Sequence, residues 1–237
     1  MFTDKKEQEY IREQNELRRK INLENTVDLE KIRTVAGVDL AYWKVLEEEK
    51  GRKENGGKGA EYAVCCIVVL DYHTHKVIEK TSFAGKMEVP YIPGCLAYRE
   101  IPVFLKAYKK LGKEPEVLFF DGNGYLHPRH MGLATHAGIL LDKASVGVAK
   151  TYYKVGDVDF VMPKDKEGAC TDIVVGEEIY GRVLRTHVGV KPVFVSVGNK
   201  IDLDTAVQMA LALTGKESHI PLPTRMADLM THKERRR

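Results

Sequence analysis

The chain has 237 residues, 43% hydrophobic and 30% charged, with a formal net charge of +3. These values are typical of a soluble globular protein, and the length favours one α/β domain that spans residues 1–237. The small net charge gives no argument by itself for nucleic-acid binding, and the basic clusters at 18–20, 106–113 and 233–237 are more typical of solvated helix faces.

The first half of the chain begins with a helix and continues with strands. Apolar residues recur at helical spacing from residue 10 to residue 21, which predicts an opening helix. Strands are predicted at 34–42, 62–71 and 77–85, the last two joined by a short hairpin turn. The Gly-, Lys- and Glu-rich stretch 50–59 predicts a mobile loop between the first two strands.

The second half alternates strands with helices. A helical pattern runs through Leu96 and Tyr108, and we expect Pro102 near the start of this helix or at a kink. The further predicted elements are, in chain order, a strand at 117–121, a helix at 130–143, strands at 145–149 and 192–197, a helix at 204–213 and a last helix that begins near Pro223. Hairpin strands followed by this alternation predict a mixed sheet covered by helices on both faces.

Cysteine usage and the N-terminus predict the compartment. The four cysteines, at 65, 66, 95 and 170, form no CxxC pair, which indicates free thiols in a reducing environment. The N-terminal stretch is charged from residue 4 and differs from a secretory signal. The longest apolar run, 62–70, is shorter than the roughly 20 residues that span a bilayer. We therefore expect a cytoplasmic protein that does not associate with membranes.

Two aspartates lie in strands that are otherwise apolar. Asp121 ends the run that starts at Val117, and Asp39 lies inside the first predicted strand. A lone aspartate at a strand end is most often a turn or helix-cap residue. If the two strands are neighbours, however, the carboxylates converge and repel each other unless a cation lies between them. Mg²⁺ binds one or two carboxylates together with waters and phosphate oxygens, so we predict a magnesium site with Glu100 as a candidate third ligand.

Histidines near Asp121 raise the alternative of a zinc site. His127, His130 and His136 are spaced by three and six residues, which is uncommon for zinc ligands, and no cysteine motif completes the set. We instead predict that His127, which follows a glycine turn, supports the carboxylates or contacts a substrate phosphate. Lys150 ends a predicted strand and would project toward the same rim.

A short motif near the last third of the chain suggests a GTPase. The run from Asn199 to Asp202 matches the N-K-x-D pattern of guanine pockets, and DGNG, starting at Asp121, matches D-x-x-G. Phosphate binding in that class requires G-x-x-x-x-G-K-[ST] at the start of a helix, and the sequence has no such stretch. We therefore reject the GTPase interpretation.

Four longer stretches resemble one nuclease family. The chain contains, in this order, VAGVDLAY, VPYIPGCLAYRE, FFDGNGYLHPRHMGLATHAGILL and SVGVAK, and together they resemble endonuclease V, the deoxyinosine 3′-endonucleases. The similarity extends from NELRRKI near the start to PTRMADL near the end. The resemblance implies a ribonuclease H-like fold, with a central mixed β-sheet flanked by helices.

The resemblance also implies a reaction. It is the Mg²⁺-dependent hydrolysis of the second phosphodiester bond on the 3′ side of a deaminated adenine, inosine, in DNA repair, with Mn²⁺ as a substitute metal. The expected partner is inosine-containing DNA, and a monomer is expected. One alternative is an endoribonuclease that acts on inosine in RNA, since the 2′-hydroxyl contacts that distinguish the two are not legible in the sequence. The other is a catalytically silent nucleic-acid binder, which the intact carboxylates disfavour.

Matching positions assign the reaction centre. The resemblance implies that Asp39, Glu100 and Asp121 are the metal-site carboxylates. It also implies that His127 and Lys150 line the reaction centre, where Lys150 would offset phosphate charge.

Matching positions also assign the lesion contacts. Tyr91, Ile92 and Pro93 match the wedge that separates the strands and fills the stack left by a flipped base. The family builds its lesion pocket largely from backbone groups, and the matching positions here are Leu96, Gly122, Gly132 and Leu133. Glycines would let the main chain approach the base edge, where a backbone N–H can recognise O6 of hypoxanthine.

One position departs from the family pattern. Many members carry a histidine in an S-P-G-H stretch where this chain has Ser196 to Asn199. Asparagine donates and accepts hydrogen bonds but cannot become cationic. We therefore expect Asn199 to offer a neutral hydrogen bond to substrate at the rim of the site.

Overall fold

The computed structural model describes residues 2–45 and 59–236. The helices are α1 (Phe2–Leu17), α2 (Leu96–Tyr108), α3 (Leu133–Leu141), α4 (Leu203–Ala212) and α5 (Leu222–Glu234). The strands are β1 (Thr34–Val45), β2 (Ala60–Asp71), β3 (Val77–Lys86), β4 (Val117–Asp121), β5 (Ala144–Ala149), β6 (Cys170–Val175), β7 (Glu178–Leu184) and β8 (Val193–Asn199). No helix of the described part is long and apolar enough to cross a membrane.

The strands form one mixed sheet in the order β3-β2-β1-β4-β5-β8-β7-β6. The central strands β1, β4 and β5 run parallel, whereas the strands on either side pair in antiparallel fashion. β4 and β5 are almost entirely buried, because helices cover both faces of the sheet at this point. The mixed sheet flanked by helices that the sequence predicts is confirmed.

Each face of the sheet carries its own hydrophobic core, because successive side chains of a strand point to opposite faces. On one face, Val35 of β1 and Phe119 of β4 pack with residues of α4 and α5. On the other face, Val38 and Phe120 pack with residues of α2 and α3. The face on which a polar strand residue lies therefore decides which helices can reach it.

The predicted elements are present, but their ends differ. The largest difference is at α1, which spans Phe2–Leu17 and not the predicted 10–21; β1 extends to Val45, and α3 is shorter than the predicted 130–143. Pro102 lies inside α2 and not at its start, so the carbonyl of Tyr98 loses its usual i+4 donor. All four cysteines are free, and only Cys170 is exposed.

The β6–β7 hairpin was not predicted from the sequence. Its strands mix polar and apolar residues because β6 is an edge strand and only part of the hairpin is buried. A turn signal is nevertheless present, since Gly176 has a φ of +65° between two runs rich in β-branched residues. Most of the predicted loop at 50–59 lies outside the described residues, so that prediction is not tested.

Candidate active site

Neighbouring strands place two aspartates side by side. β1 and β4 are parallel, and their register pairs Val38 with Phe120, so the next residue of each strand is an aspartate. Alternation puts Asp39 and Asp121 on the face that α4 and α5 cover. The convergence predicted from the two strand patterns is present, and Asp39 lies inside β1 as predicted.

Helix α5 adds a third aspartate, which the sequence analysis did not identify. Asp228 lies close enough to influence both strand aspartates, and its Oδ2 is 3.3 Å from Nζ of Lys150. The hydroxyl of Thr231 is 3.1 Å from Asp39 Oδ2 and 2.7 Å from the carbonyl oxygen of Asp228. Asp228 lies in PTRMADL, within the part of the sequence that resembles the family. It does not lie in an apolar strand, which is the pattern that identified Asp39 and Asp121.

A glycine in β1 lets α5 come this close. A Cβ on Gly37 would lie 2.0 Å from the carbonyl carbon and oxygen of Pro223, in the first turn of α5. Real Cβ atoms do not make such contacts with backbone, so any side chain here would displace the helix. Gly37 thus fixes the distance between Asp39, two residues further along β1, and the helix that carries Asp228.

Lys150 is the cation of this cluster. It follows β5, the strand next to β4, and its Nζ lies 2.6 Å from Oδ2 of Asp121. The lysine side chain is 36% exposed and that of Asp121 only 16%, so the ammonium group lies at the mouth of the site and the carboxylate below it. The position predicted for Lys150, a strand end facing the carboxylates, agrees with this geometry.

Glu100 approaches from the other face of the sheet. It lies on α2 and is almost fully buried, and it accepts a short hydrogen bond from the hydroxyl of Tyr42 in β1. The neighbouring Arg99 forms an ion pair with Glu61 at 2.7 Å and lies over the Tyr42 ring. The hydroxyl of Tyr42 therefore orients the carboxylate of Glu100.

Burial raises the pKa of three carboxyl groups at this site, those of Asp39, Glu100 and Asp121. Burial and, to a smaller extent, the nearby charges of Asp121 and Asp228 together raise the pKa of Asp39 to about 7, although the hydrogen bond from Thr231 opposes the shift. Burial likewise raises the pKa of Glu100 to about 7, although the hydrogen bond from Tyr42 lowers it. These are the shifts expected when several acids share one poorly hydrated site in which the cations Lys150 and Arg99 only partly offset burial.

The cluster has the donor chemistry of a hard-cation site. Asp39, Asp121, Asp228 and Glu100 offer only oxygen ligands, which Mg²⁺ prefers. In residues 2–45 and 59–236, however, no group of three or more carboxylate, imidazole or thiol side chains is arranged to hold a metal ion. The carboxylates are turned instead to protein donors, namely Thr231, Lys150 and Tyr42. The residues thus fit a magnesium ion chemically, but in the described arrangement they do not surround one.

A cavity of about 140 Å³ lies next to the carboxylate cluster. All four residues that the resemblance assigns to the lesion pocket line it: Leu96, Gly122, Gly132 and Leu133. A Cβ on Gly132 would lie 2.3 Å from the carbonyl oxygen of Asn123, so only glycine permits this close packing of the wall. Because Gly122 directly follows Asp121, the cavity and the carboxylate cluster are adjacent.

The predicted wedge divides into exposed and buried residues. Tyr91 is 63% exposed at the edge of the cavity, and Pro93 is also exposed. Ile92 is 3% exposed and packs against Tyr10 and Cys95. Ile92 therefore anchors the segment, and Tyr91 and Pro93 are the members of the wedge that a substrate can reach.

His127 lies in the cavity wall as a neutral ring. Its Nδ1 accepts hydrogen bonds from the backbone N–H groups of Arg129 at 3.1 Å and Met131 at 3.3 Å. The proton of the ring is then on Nε2, which donates to the carbonyl oxygen of Gly94 at 3.0 Å. Burial and the charge of Arg129 lower the pKa of His127 to about 4. These hydrogen bonds give His127 a role in holding the cavity wall, and its predicted role in supporting the carboxylates or contacting a substrate phosphate stays a prediction.

The other two histidines have separate surroundings. His130 stacks on Tyr125 with ring centroids 3.9 Å apart, and His136 meets the ring of Tyr98 edge-on. Burial lowers the pKa of His136 to about 4. The three histidines therefore do not face a common position in which they could bind one metal ion.

Asn199 is not part of this site. It is 2% exposed, and its Oδ1 accepts the backbone N–H of Asn22 while its Nδ2 donates to the carbonyl oxygen of Gly138. Its register partner is Ser145, near the start of β5, whereas Asp121 is level with the end of that strand. The prediction that Asn199 meets substrate at the rim is wrong, because antiparallel pairing carries the end of β8 to the opposite edge of the sheet.

The remaining residues of the N-K-x-D match have structural partners. Asp202 caps α4 by accepting the backbone N–H of Thr205 at 2.7 Å. Lys200 forms an ion pair with Asp142 at 2.6 Å. These contacts account for the motif without a nucleotide.

Known proteins share both the sequence and the fold. The family model described as Endonuclease V matches residues 15–229. Endonuclease V of Bacillus thuringiensis subsp. konkukian is 51% identical over 230 residues, which cover 97% of this chain and 93% of that protein. The crystal structure of Endonuclease V from Bacillus subtilis has a TM-score of 0.88 at 49% identity and covers 97% of this chain and 92% of that chain.

A solved complex with nucleic acid is also similar. Endonuclease V of Ciona intestinalis, crystallised with a 24mer DNA containing an inosine followed by a ribo-adenosine, has a TM-score of 0.77 at 28% identity. The similarity covers 98% of each chain. Together, the superpositions confirm the ribonuclease H-like fold expected from the sequence.

The raised pKa of Asp39 predicts a pH-dependent stability. The carboxyl has a pKa of about 7 in the folded protein against about 3.9 in an unfolded chain, so the folded state binds this proton more tightly. The resulting stabilisation is complete below about pH 4 and is lost as the pH rises through 7. In EDTA, we expect Asp39→Asn to reduce the fall in unfolding free energy between pH 5 and pH 8 by on the order of 2 kcal/mol. Urea unfolding at both pH values measures this.

Asp157→Asn is the matched control, because Asp157 is exposed and is not among the groups that shift the pKa of Asp39. It should follow the wild-type pH dependence. An Asp39→Asn variant with the wild-type slope would contradict the electrostatic description of the site.

Proposed function

This chain belongs to the endonuclease V family, and on that premise we propose that it is a Mg²⁺-dependent endonuclease that acts on inosine in DNA. It is a nuclease, a hydrolase of phosphodiester bonds, in a family of metal-dependent enzymes. In the proposed reaction, the second phosphodiester bond on the 3′ side of the inosine is hydrolysed, leaving a 3′-hydroxyl and a 5′-phosphate. Mn²⁺ is the proposed substitute metal, and DNA repair the proposed process.

One observation carries the proposal. A buried carboxylate cluster with a single lysine adjoins a glycine-lined cavity, and the residues Asp121 and Gly122 join the two. A phosphodiesterase that recognises one base needs both parts at a fixed distance, because the base and the phosphate belong to the same strand. The Ciona relative in its complex with inosine-containing DNA supports the choice of lesion.

The carboxylates form the reaction side of the proposal. We assign metal binding to Asp39, Asp121 and Glu100, and we add Asp228 because it lies in the same cluster. When bound, the metal supplies Lewis-acid stabilisation and an activated water. Lys150 holds its ammonium group beside Asp121, where it can offset the charge that develops on a phosphate.

The cavity forms the recognition side. Gly122 and Gly132 remove side chains from the wall, so backbone groups can approach the edge of a flipped base. Tyr91 stands exposed at the entrance, where an aromatic ring can occupy the stack that the base has left. We further propose that the chain acts as a monomeric single domain, since one sheet and its helices carry every residue of the site.

The proposal is tested by matched substrates. We expect the wild-type protein with Mg²⁺ to nick a DNA strand with one inosine at the second bond 3′ to it, and to leave the adenine control intact. EDTA should abolish the reaction, and Mn²⁺ should restore it. The product ends are read on a sequencing gel.

The same assay includes an RNA strand and a DNA strand with a ribo-adenosine after the inosine, since the Ciona complex contains such a junction. Faster cleavage of RNA than of DNA would replace the proposal with the endoribonuclease alternative. Cleavage of neither substrate would refute both.

Asp121→Asn and Asn199→Ala should differ sharply in activity. Asp121→Asn removes a charge from the cluster, so we expect a loss of at least about 10³-fold in nicking rate with lesion binding largely retained. Asn199→Ala should keep nicking within about tenfold of wild type, but lower the unfolding free energy by about 1–3 kcal/mol, because buried groups lose their partners. Gel shifts, nicking assays and urea unfolding separate these effects. Robust cleavage by Asp121→Asn would refute the metal-site assignment.

Tyr91→Ala should weaken duplex cleavage selectively. A wedge matters where a base stack must be filled, so the loss should be about 1–3 kcal/mol larger for inosine in duplex than in single-stranded DNA. Nicking rates on both substrates measure the difference. Val161→Ala, another change at a highly exposed apolar residue, serves as the control. Equal losses on both substrates would mean that Tyr91 is not a wedge.

A further inference from the structure

One backbone oxygen next to the wedge receives three donors. The carbonyl oxygen of Gly94 accepts hydrogen bonds from Nε2 of Gln14 at 3.0 Å, Nη2 of Arg129 at 2.8 Å and Nε2 of His127 at 3.0 Å. A carbonyl oxygen has two lone pairs, so three donors are more than it can serve at full strength. We call these three side chains and this oxygen the Gly94 clamp.

Two members of the clamp also hold each other. Nε of Arg129 donates to Oε1 of Gln14 at 2.5 Å, while the amide nitrogen of Gln14 donates to Gly94. Both ends of the Gln14 amide are therefore used, which fixes its orientation. Gln14 has no exposed surface, so water cannot replace either partner.

The clamp is connected directly to the wedge. Gly94 has a φ of +73°, and a Cβ there would lie 2.7 Å from Nη2 of Arg129, so the clamp closes only around glycine. The backbone N–H of Cys95 donates to the carbonyl oxygen of Ile92 at 2.9 Å, which makes residues 92–95 a tight turn. Tyr91 projects from this turn into solvent, and the clamp is what fixes the turn on its other side.

Helix α1 delivers Gln14 to this position. Tyr10, four residues earlier and so on the same side of the helix, stacks on Tyr98 with ring centroids 3.9 Å apart. The hydroxyl of Tyr98 also donates to the carbonyl oxygen of Tyr10 at 3.1 Å. The matched family region begins at residue 15, so it includes neither Tyr10 nor Gln14.

We propose that Gln14 and Arg129 are positioning residues that act through Gly94 to hold Tyr91 at a fixed angle to the nucleic acid. Neither side chain lines the cavity or belongs to the carboxylate cluster, whereas Gly94 and His127 do line the cavity. An effect through the wedge is distinguished from an effect on the cavity wall by comparing duplex with single-stranded DNA, and the catalytic part of this inference rests on the proposed function. The clamp itself is a structural property that can be measured without any substrate.

Hydrogen exchange of the free protein tests the clamp. Removing Gln14 leaves Nε of Arg129 without its acceptor and the carbonyl oxygen of Gly94 with two donors in place of three, so the turn should open more often. We expect Gln14→Ala to speed exchange in peptides covering 90–96 by roughly fivefold or more, with little change in β4. Gln8→Ala is the matched control, since Gln8 is an exposed glutamine of the same helix. Unchanged exchange in Gln14→Ala would overturn the proposal.

Cleavage tests the role of the clamp. We expect Gln14→Ala to reduce nicking of inosine in duplex about tenfold more than in single-stranded DNA, because only the duplex requires the wedge. Gln14→Glu is a second variant of equal size, which keeps an acceptor for Arg129 but cannot donate to Gly94, and it should show the same duplex-selective loss. Equal losses on both substrates, or no loss, would overturn the positioning role.

Two further outcomes are distinguishable. If the wild-type protein cleaves no inosine substrate, the proposed function fails, and the exchange result still decides whether the clamp holds the turn. If Gln14→Ala does not fold by its melting curve, Gln14→Glu decides both measurements, and wild-type exchange with wild-type duplex selectivity in that variant refutes the inference.

Discussion

The mutual repulsion of three aspartates is the constraint on which this structure depends. Asp39, Asp121 and Asp228 come from two strands and a helix that are far apart in the chain, and Lys150 is the cation that pairs directly with two of them. Bringing carboxylates together in a poorly hydrated site opposes folding unless cations or protons neutralise them. Burial of apolar side chains in the surrounding hydrophobic cores must therefore offset this repulsion. Both faces of the sheet are packed with such side chains at β4.

The fold meets this constraint with close backbone approaches. Parallel pairing aligns Asp39 with Asp121, and Gly37 admits the first turn of α5 against β1. On the face of the sheet that α2 covers, the neutral hydroxyl of Tyr42 orients Glu100 by a hydrogen bond. The acids are thus assembled from elements that are each secured by apolar packing, while Tyr42, Thr231 and Lys150 orient the individual carboxylates.

The sequence predicts those parts of the site that follow from strand pattern. An apolar strand that contains a carboxylate can be recognised in the sequence. The approach of Asp39 to Asp121 and the position of Lys150 were therefore predictable. Asp228 was not, because a helical aspartate is ordinarily solvated and only tertiary packing brings it to the cluster. Asn199 was misassigned for the converse reason: strand direction, which the sequence does not specify, placed it at the opposite edge of the sheet.

The loop that follows Asp121 requires a neutral histidine in the cavity wall. Nδ1 of His127 accepts two backbone N–H groups, and protonation of that atom would leave the N–H groups of Arg129 and Met131 without their acceptor. A cationic histidine in the cavity wall is therefore incompatible with the fold of the wall itself. A neutral wall suits a neutral base, whose edge is read by hydrogen bonds, while the charged groups remain where a phosphate would lie. The boundary between recognition and reaction thus falls between two consecutive residues, Asp121 and Gly122.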